Sequence, residues 1–393
     1  MPLKSDGLPE PSHDFLDDAP NAASGGLLVA SWFLLDRVRP LLPWLGSEVG
    51  LWASRLAAVV RSDARLKGLM ASQRYRPRAS TVSTLRSVLE KRGTPGAEWM
   101  PDDIRQSLAA HRTIVLRPPV EGPAGPIPGV LLVKFTETLR FYAHHIDFGR
   151  LQRYFRVVLE PSWAGYALPE LLALHGARDP ILVQAAEKTD RELLRQLDGA
   201  LKPVPLGSGE WVDHRVFRPL GLERDYGAVY VANYNSVKRV PAFLRVVARI
   251  VSQGVPFKAA LVCSRWGRGR RVVQAFVRWY GLAEHVDVYE SIEHDGVNVV
   301  LNRARCGVLM SRKEGSNRSL FEGMHADTPG VLLDENVGVN QERLTAQSGV
   351  VAPEGEFAGL LTEISSGART FSARRWALET IAPEVSARTV ERE

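Results

Sequence analysis

The chain has 393 residues, of which 45% are hydrophobic and 24% are charged, a composition ordinary for a soluble globular protein. Its two cysteines, Cys263 and Cys306, exclude a disulfide framework and fit no zinc-ligand pattern, so a reducing cytoplasm is expected. The formal charge of +6 suits an anionic partner such as a nucleotide, a phospholipid surface or a nucleic acid. The length predicts two domains.

The N-terminal quarter of the chain predicts a tail followed by helices. Residues 1–26 are polar, acidic and rich in proline, which predicts a disordered tail without a secretory signal. Residues 27–110 show helical periodicity only, and charged residues and prolines interrupt their apolar first part, which argues against a transmembrane span. Two interpretations remain. These helices pack on the protein's own core, or one lies in a membrane interface with Trp32, Trp44 and Trp52 at the headgroup level.

Two alternations of strands and helices follow. Residues 111–208 hold the apolar runs "RTIVLRP", "GVLLVKF", "YFRVVLEP" and "DPILVQAAE" with helical stretches between them, which predicts a parallel sheet with crossover helices. After a break rich in proline and glycine, residues 209–365 predict five more strands: "AVYVANY", "FKAALVCS", "VDVYES", "CGVLMS" and "PGVLLDE". Residues 366–393 predict a C-terminal helix and tail. Two doubly wound α/β domains facing a cleft are expected, with ligands outside the carboxyl ends of the strands.

Polar loops follow the strands of the second alternation. Lys238 lies in the loop from Asn233 to Arg239, where its ammonium and the helix-start amides suit phosphate oxygens, although a lysine at a helix start is often only solvated. The stretch "RWGRGRR" suits a phosphate or a nucleic acid, but a solvated loop is favoured. After "VDVYES", Asp295 is predicted to cap the next helix.

The stretch "RKEGSNRSLFEG" places two glutamates around a turn and a helix start. Gly315, Ser316 and Asn317 predict a tight turn, and the amides of residues 316–319 open the helix as an anion site. Glu314 lies on the loop and Glu322 lies about one turn inside the helix. Since a carboxylate accepts several hydrogen bonds, each glutamate can bind vicinal hydroxyls of a sugar or ribose. The layout suits a nucleotide-sugar lying across the helix start.

Four motifs carry a resemblance to a known family. "EWVDHRVFRP", "VYVANYNSVKRVPAFLRVV", "SRKEGSNRSLFEGMHADTPGVL" and "APEGEFAGLLTEI" occur in this order. Together they resemble the nucleotide-binding domain of GT-B glycosyltransferases, specifically retaining family 4, also called glycosyl transferases group 1. Lys238 matches the family's phosphate-binding lysine, whereas Asn233 stands where the family usually carries an arginine. The resemblance covers residues 205–385 and implies the GT-B fold, two Rossmann-like domains facing a cleft, here with a helical N-terminal extension.

The resemblance also implies an activity and a donor site. A hexose-type sugar would pass from a nucleotide-diphosphate sugar to a hydroxyl acceptor, with retention of configuration and without a metal or other cofactor. Glu314 would contact the donor sugar and Glu322 the ribose. The implied donor-binding residues are Asn233, Lys238, Gly315, Ser316, Asn317, Arg318, Ser319 and Glu322. The acceptor would be a glycan or a lipid-linked glycan, and the enzyme would be cytoplasmic or peripheral at the inner membrane face.

The first alternation matches the family less well. Its loop "PPVEGPAGPIPG" contains five prolines, which remove amide donors. Where the family carries a histidine at a strand end, "VVLEPSWAGY" offers Glu160, Ser162 and Trp163 as acceptor-side candidates. His144 and His145 fall on a predicted helix and are expected to be surface or packing residues.

Other functions remain open beside the transferase. A GT-B phosphorylase or an epimerase is one alternative. A catalytically decayed protein that binds a sugar nucleotide is another, which Asn233 favours and the presence of Lys238, Glu314 and Glu322 opposes. A nucleic-acid acceptor is also not excluded by the positive charge.

Overall fold

The computed structural model describes residues 9–60, 62–75, 78–96, 112–315 and 317–393. The chain divides into two compact units: unit 1 is Met1–Asp36 with Ser208–Arg388, and unit 2 is Arg37–Gly207 with Thr389–Glu393. Each unit contains a mainly parallel sheet with helices, so the expected α/β class is confirmed. The division between the units lies between Gly207 and Ser208, and the boundary expected from the sequence lies between residues 208 and 209. The N-terminal extension, by contrast, is divided between the units after Asp36.

A short 3-10 helix, His13–Leu16, and four α-helices precede the first strand in the described part of the chain. The α-helices are α1 (Ala22–Val38), α2 (Leu41–Val60), α3 (Ser62–Tyr75) and α4 (Ala79–Arg92).

The prediction of a disordered tail is wrong for residues 9–26, and residues 1–8 lie outside the described part. Phe15 is buried in the core of unit 1, Gln274 Nε2 donates to the Phe15 carbonyl at 2.6 Å, and the Arg278 guanidinium donates to the Leu16 carbonyl at 2.6 Å. The polar composition suggested disorder because it does not reveal that a single buried aromatic ring and several backbone carbonyls find partners on a distant helix.

Helices α1 and α2 differ in how far their apolar side chains are buried. Trp32 of α1 is buried and packs edge-to-face on Phe276 of unit 1 with ring centroids 5.2 Å apart, so α1 lies on the protein's own core. Along α2, Leu41, Leu45, Val49 and Trp52 share one face and are 52% to 65% exposed. The side chain of Trp44 lies outside the described set. None of the described helices is long and apolar enough to cross a membrane.

Unit 2 contains a five-stranded sheet in the order β1-β4-β5-β6-β7 and a separate β2–β3 hairpin. The strands are β1 (Thr113–Arg117), β2 (Val120–Gly122), β3 (Gly125–Ile127), β4 (Gly129–Lys134), β5 (Phe155–Glu160), β6 (Ile181–Gln184) and β7 (Leu201–Val204). The helices are α5 (Thr136–His145), α6 (Phe148–Tyr154), α7 (Pro169–Leu172) and α8 (Lys188–Leu197).

One strand of unit 2 runs against the predicted direction. Strands β4 to β7 are parallel as expected, but β1 pairs antiparallel with β4. The proline-rich loop between them forms the β2–β3 hairpin. No helix lies between β1 and β4, and a parallel pair requires a longer crossover, usually through a helix. Strand β7 was not predicted, because it is short and contains Pro203.

Unit 1 contains a six-stranded parallel sheet in the order β10-β9-β8-β11-β12-β13. The strands are β8 (Ala228–Asn233), β9 (Ala259–Ser264), β10 (Val286–Glu290), β11 (Gly307–Leu309), β12 (Gly330–Leu333) and β13 (Gly349–Ala352). The helices are α9 (Val240–Ser252), α10 (Arg270–Trp279), α11 (His294–Asn302), α12 (Ser319–His325), α13 (Phe357–Ser365), α14 (Ala373–Thr380) and α15 (Pro383–Arg392), whose last residues, from Thr389, are grouped with unit 2. The five predicted strands are confirmed, and β13 is an additional one.

The strand order places a switch point at the centre of the unit 1 sheet. The chain runs outward from β8 to β10 on one side and from β11 to β13 on the other. In doubly wound sheets a ligand crevice opens outside the carboxyl ends of the strands at such a reversal. The loops that follow β8 and β11 are therefore the ones expected to hold a ligand.

The helix boundaries of unit 1 are largely those expected. Gly254 and Gly281 follow α9 and α10 with φ of +75° and +64°, a backbone conformation that favours glycine. Helix α11 begins earlier than predicted: Glu293 is its N-cap and Asp295 lies in its first turn, so the predicted Asp295 cap is wrong. Cys263 and Cys306 are buried free thiols.

Candidate active site

Lys238 and Glu314 form a buried ion pair at the switch point. The loop after β8 forms a short 3-10 helix, Ser236–Lys238, which the Asn235 side chain caps by accepting from the Val237 amide at 3.1 Å. The Lys238 ammonium donates to both carboxylate oxygens of Glu314, at 2.8 and 2.7 Å. The side chains are 17% and 5% exposed. The alternative of a merely solvated lysine is therefore wrong.

The Glu314 carboxylate and backbone are fixed by further contacts. Ser311 Oγ donates to Glu314 Oε1 at 2.6 Å, and the Glu314 amide donates to the Val337 carbonyl at 2.8 Å. Gly338 packs directly on this backbone: its φ is +115°, and a Cβ there would lie 2.0 Å from the Glu314 carbonyl oxygen. Only glycine fits this approach. Glu314 is thus held in one orientation before any ligand arrives.

The turn between Glu314 and α12 is organised by Asn317. Its Oδ1 accepts from the Leu320 amide at 2.9 Å and from Ser319 Oγ at 2.9 Å. Ser319 Oγ also lies 3.4 Å from the Val231 carbonyl of β8, which connects the start of α12 to the switch-point strand. Arg318 is the N-cap residue of α12, and Gly315 lies in the turn. Ser316 lies outside the described residues.

Glu322 is a buried carboxylate on α12. Its side chain is 9% exposed, and the nearest cation described, Arg318 Nε, is 3.7 Å from Oε1, beyond hydrogen-bond distance. Burial raises the pKa of Glu322 above the ordinary value of a carboxyl, although the positive charge of Arg318 and the nearby His294 oppose this effect. A buried carboxylate with free acceptor capacity is suited to a ligand that brings hydroxyl donors.

The remaining polar groups near the ends of β8 and β9 shape their loops. Asn233 Oδ1 accepts from the Asn235 amide at 3.0 Å, so this side chain sets the loop conformation and carries no charge. In the basic loop after β9, Arg265 and Arg270 both contact the Glu290 carboxylate, at 3.3 and 2.9 Å. Two arginines of the basic loop, Arg265 and Arg270, are therefore paired with a carboxylate within unit 1.

Comparison with known proteins identifies the domain that carries this arrangement. Residues 226–366 match the family model described as "Glycosyl transferases group 1". This is a group 1 glycosyltransferase domain. The enzyme class expected from the sequence, a glycosyltransferase, is confirmed. No curated protein matches the chain in sequence.

Solved structures of glycosyltransferases resemble about two thirds of this chain at low sequence identity. Sucrose-phosphate synthase from Thermosynechococcus elongatus has 18% identity and a TM-score of 0.53 over 66% of this chain and 71% of its own. Anabaena Alr3699/HepE, solved with UDP-glucose, has 14% identity and a TM-score of 0.51 over 66% and 78%. The pneumococcal O-GlcNAc transferase GtfA, solved with UDP and GlcNAc, has 11% identity and a TM-score of 0.51 over 63% and 54%. The expected GT-B fold is confirmed.

Two residues near the group 1 site escaped the sequence reasoning. Arg239 follows Lys238, is 3% exposed and adopts a left-handed φ of +50°. Its guanidinium forms a two-point ion pair with Asp36, at 2.7 Å for both contacts, across 203 residues of sequence. No local pattern signals a pairing over this distance.

The acceptor-side candidates lie in unit 2 of the glycosyltransferase and differ in exposure. Glu160 ends β5 and is 9% exposed, with Lys134 Nζ 3.7 Å from its carboxylate. Ser162 Oγ accepts from the Thr136 amide at 2.9 Å, which gives it a structural role, whereas Trp163 is 41% exposed. Their roles toward an acceptor stay predictions.

One tyrosine and two histidines near the acceptor-side candidates have packing contacts within unit 2. Tyr166 is buried in the core of unit 2 and donates to the Gln184 carbonyl at 2.7 Å. His144 and His145 lie at the end of α5, and the His145 ring packs on Phe141 with centroids 5.0 Å apart.

Proposed function

We propose that this protein transfers a hexose-type sugar from a nucleotide-diphosphate sugar to a hydroxyl acceptor, with retention of configuration and without a metal. One observation carries the proposal: a buried Lys238–Glu314 ion pair lies at the switch point of a group 1 glycosyltransferase domain. The buried carboxylate of Glu322 follows on the next helix and supplies a second group that accepts hydrogen bonds from hydroxyls.

The donor would occupy the loops after β8 and β11. The diphosphate would share the Lys238 ammonium, which can donate three hydrogen bonds and uses two contacts on Glu314. Glu314, fixed by Ser311 and by the Val337 carbonyl, would accept from a hydroxyl of the transferred sugar. Ribose hydroxyls would satisfy the Glu322 carboxylate. The contacts of both glutamates suit hydroxyl binding, and neither is assigned proton transfer.

The chemical step needs no base from these residues. The bond between the anomeric carbon and the phosphate oxygen breaks, and the acceptor oxygen bonds to the same carbon from the same face. The leaving diphosphate takes the acceptor's proton. In this scheme the protein acts by holding the diphosphate and the sugar in position, which can account for a large part of a transfer barrier.

The donor experiment begins with uridine nucleotides. Anabaena Alr3699/HepE was solved with UDP-glucose and the pneumococcal transferase GtfA with UDP and GlcNAc, so UDP-glucose and UDP-GlcNAc are the first candidates. Titration calorimetry and hydrolysis assays against UDP-, GDP-, ADP- and TDP-sugars test the proposal. The absence of both binding and turnover with every donor would reject it. Product NMR at the anomeric proton tests retention, and activity in excess EDTA tests independence from a metal.

The same assays separate the alternative functions. A decayed sugar-nucleotide-binding protein would bind a donor and never release the nucleotide product. An epimerase would change the sugar while it remains on the nucleotide, and a phosphorylase would require inorganic phosphate. A nucleic-acid acceptor is the less supported choice, because Arg265 and Arg270 of the basic loop contact Glu290.

We also infer a lipid-linked acceptor reached by peripheral contact with the inner membrane face. The exposed apolar face of α2, which includes Val49 and Trp52, supports this inference. Flotation with vesicles containing anionic lipid tests it. Trp52→Ser should lower the bound fraction, whereas Trp279→Ser, which changes an exposed tryptophan of unit 1, should not. Equal effects, or no vesicle binding, would leave a soluble glycan as the acceptor.

A further inference from the structure

A buried cluster of charged residues lies at the C-terminal end of α1. We call Asp36, Arg239, Arg312 and Glu354 the Asp36 cluster. The Asp36 carboxylate accepts from Nε and Nη2 of Arg239, each at 2.7 Å, and its Oδ1 also accepts from Arg312 Nη1 at 3.0 Å. Arg239 Nη2 donates in addition to Glu354 at 2.8 Å. Asp36 and Arg239 are 7% and 3% exposed, so this central pair is shielded from solvent, whereas the side chains of Arg312 and Glu354 are half-buried.

The two arginines that share Asp36 belong to the two loops of the candidate active site. Arg239 follows Lys238 directly, and its Nη1 donates to the Met310 carbonyl, just beyond the end of β11, at 3.0 Å. Arg312 follows Ser311, the residue that hydrogen-bonds Glu314. The Arg312 carbonyl accepts from the Val337 amide at 3.0 Å, next to the bond between the Glu314 amide and Val337. A single carboxylate therefore connects the Lys238 loop with the Glu314 loop.

The backbone of Arg239 shows why such a connection is needed. Its φ of +50° is in the left-handed region, which is sterically unfavourable for a residue with a Cβ. The surrounding structure must hold a conformation of this kind, and the contacts with Asp36, Glu354 and the Met310 carbonyl do so here. Burial alone would raise the pKa of Asp36, but the hydrogen bond and charge of Arg239, together with the charges of Arg312 and Arg245, lower it, so the carboxylate is ionised at neutral pH.

We propose that Asp36 is a positioning residue for the donor site: it holds Arg239 and Arg312 together and thereby fixes the loops that carry Lys238 and Glu314. Helix α1 lies outside residues 226–366, the part that matches the family model, so an N-terminal segment of this chain completes the group 1 domain. The inference rests on the proposed function for the roles of Lys238 and Glu314 toward a donor. The connection between their loops does not depend on it.

The first test measures donor affinity in matched variants. Asp36→Asn keeps the size of the side chain and removes its charge, and Asp17→Asn makes the same change at an exposed position of the same N-terminal segment. We expect Asp36→Asn to weaken donor binding about threefold to thirtyfold, the range for residues that act through a packed network. Asp17→Asn should leave it unchanged. Equal affinities of Asp36→Asn and wild type would overturn the proposal.

A double-mutant cycle distinguishes positioning from general damage. If Asp36 acts through the Lys238 loop, Asp36→Asn should weaken donor binding much less in a Lys238→Ala background than in the wild type. A general loss of folding would lower affinity by the same factor in both backgrounds, and that result would contradict the proposal. Thermal unfolding of each variant, measured in parallel, reports the stability change separately.

The second test needs no donor and therefore stands if the proposed function fails. Hydrogen exchange of the apo protein should become faster at the amides of Lys238, Arg239 and Glu314 in Asp36→Asn, while β9 keeps its protection. Arg312→Gln leaves the Asp36–Arg239 pair in place and changes a side chain that is 26% exposed, so it provides a milder variant if Asp36→Asn does not fold. It should accelerate exchange at Glu314 and not at Arg239. Unchanged exchange in both loops would refute the connection.

Discussion

Replacing Lys238 by alanine would leave the Glu314 carboxylate buried without its ammonium partner. Glu314 is 5% exposed and takes two contacts from Lys238, at 2.8 and 2.7 Å. Removing one member of a buried pair typically costs about 3–5 kcal/mol. Because Ser311 still donates to Glu314 and Lys238 is 17% exposed, we expect a loss of about 2 kcal/mol in the free energy of unfolding.

The same substitution should weaken donor binding by about thirtyfold. A hydrogen bond to a charged group contributes about 2 kcal/mol, which corresponds to that factor in a dissociation constant. Calorimetric titration with the donor and chemical denaturation of the free protein measure the two effects separately. Lys258→Ala is the matched control, since Lys258 precedes β9 at the opposite edge of the sheet and pairs with Asp287 at a 44% exposed position. It should change stability by less than about 1 kcal/mol and donor affinity not at all.

A double variant tests whether the unpaired Glu314 carboxylate causes the loss of stability in Lys238→Ala. Lys238→Ala combined with Glu314→Gln removes the charge that lost its partner, so the double variant should be more stable than Lys238→Ala alone. If the two substitutions instead destabilise additively, the ion pair contributes nothing specific and the reasoning is refuted. Unchanged donor affinity in Lys238→Ala would refute the assignment of Lys238 to the diphosphate.

Three further predictions concern the carboxylates, the close glycine contact and pH. Glu322→Ala should weaken nucleotide binding, whereas Glu314→Ala should lower kcat more than affinity; equal losses of nucleotide affinity would contradict this division of roles. Gly338→Ala should destabilise the fold by about 2 kcal/mol or more because its Cβ would overlap the Glu314 carbonyl, while Gly359→Ala in α13, with open space around it, should be neutral or stabilising in denaturation experiments. Burial lowers the pKa of His325 from 6.5 to about 4, so the unfolded chain binds more protons than the folded one between these values. The free energy of unfolding should therefore fall by about 3 kcal/mol as the pH drops from 6.5 to 4, and His325→Leu should remove this part of the pH dependence; a profile identical to that of the wild type would exclude His325 as its source.

Local sequence patterns determined most of the unit 1 fold. The continuously apolar runs of β8 to β12 predicted buried parallel strands, and the glycines after α9 and α10 predicted where these helices end. Strand β7 was missed because it is short and contains Pro203. Strand β13 was also missed, although it is as long as the predicted strand β12. The direction of β1 was wrong because strand patterns carry no information about the partner strand.

The residues of the candidate site could be predicted from the sequence, but their pairing could not. Lys238, Glu314 and Glu322 could be identified from the sequence, because parallel strands bring the loops at their carboxyl ends to one edge of the sheet. Only the tertiary structure paired Lys238 with Glu314 over 76 residues and Asp36 with Arg239 over 203. Periodicity and turn chemistry are local properties, readable from neighbouring residues. Which charges share a buried environment depends on how distant segments pack. For Asp36, that packing placed a residue of the predicted N-terminal helical extension in a charged cluster of unit 1.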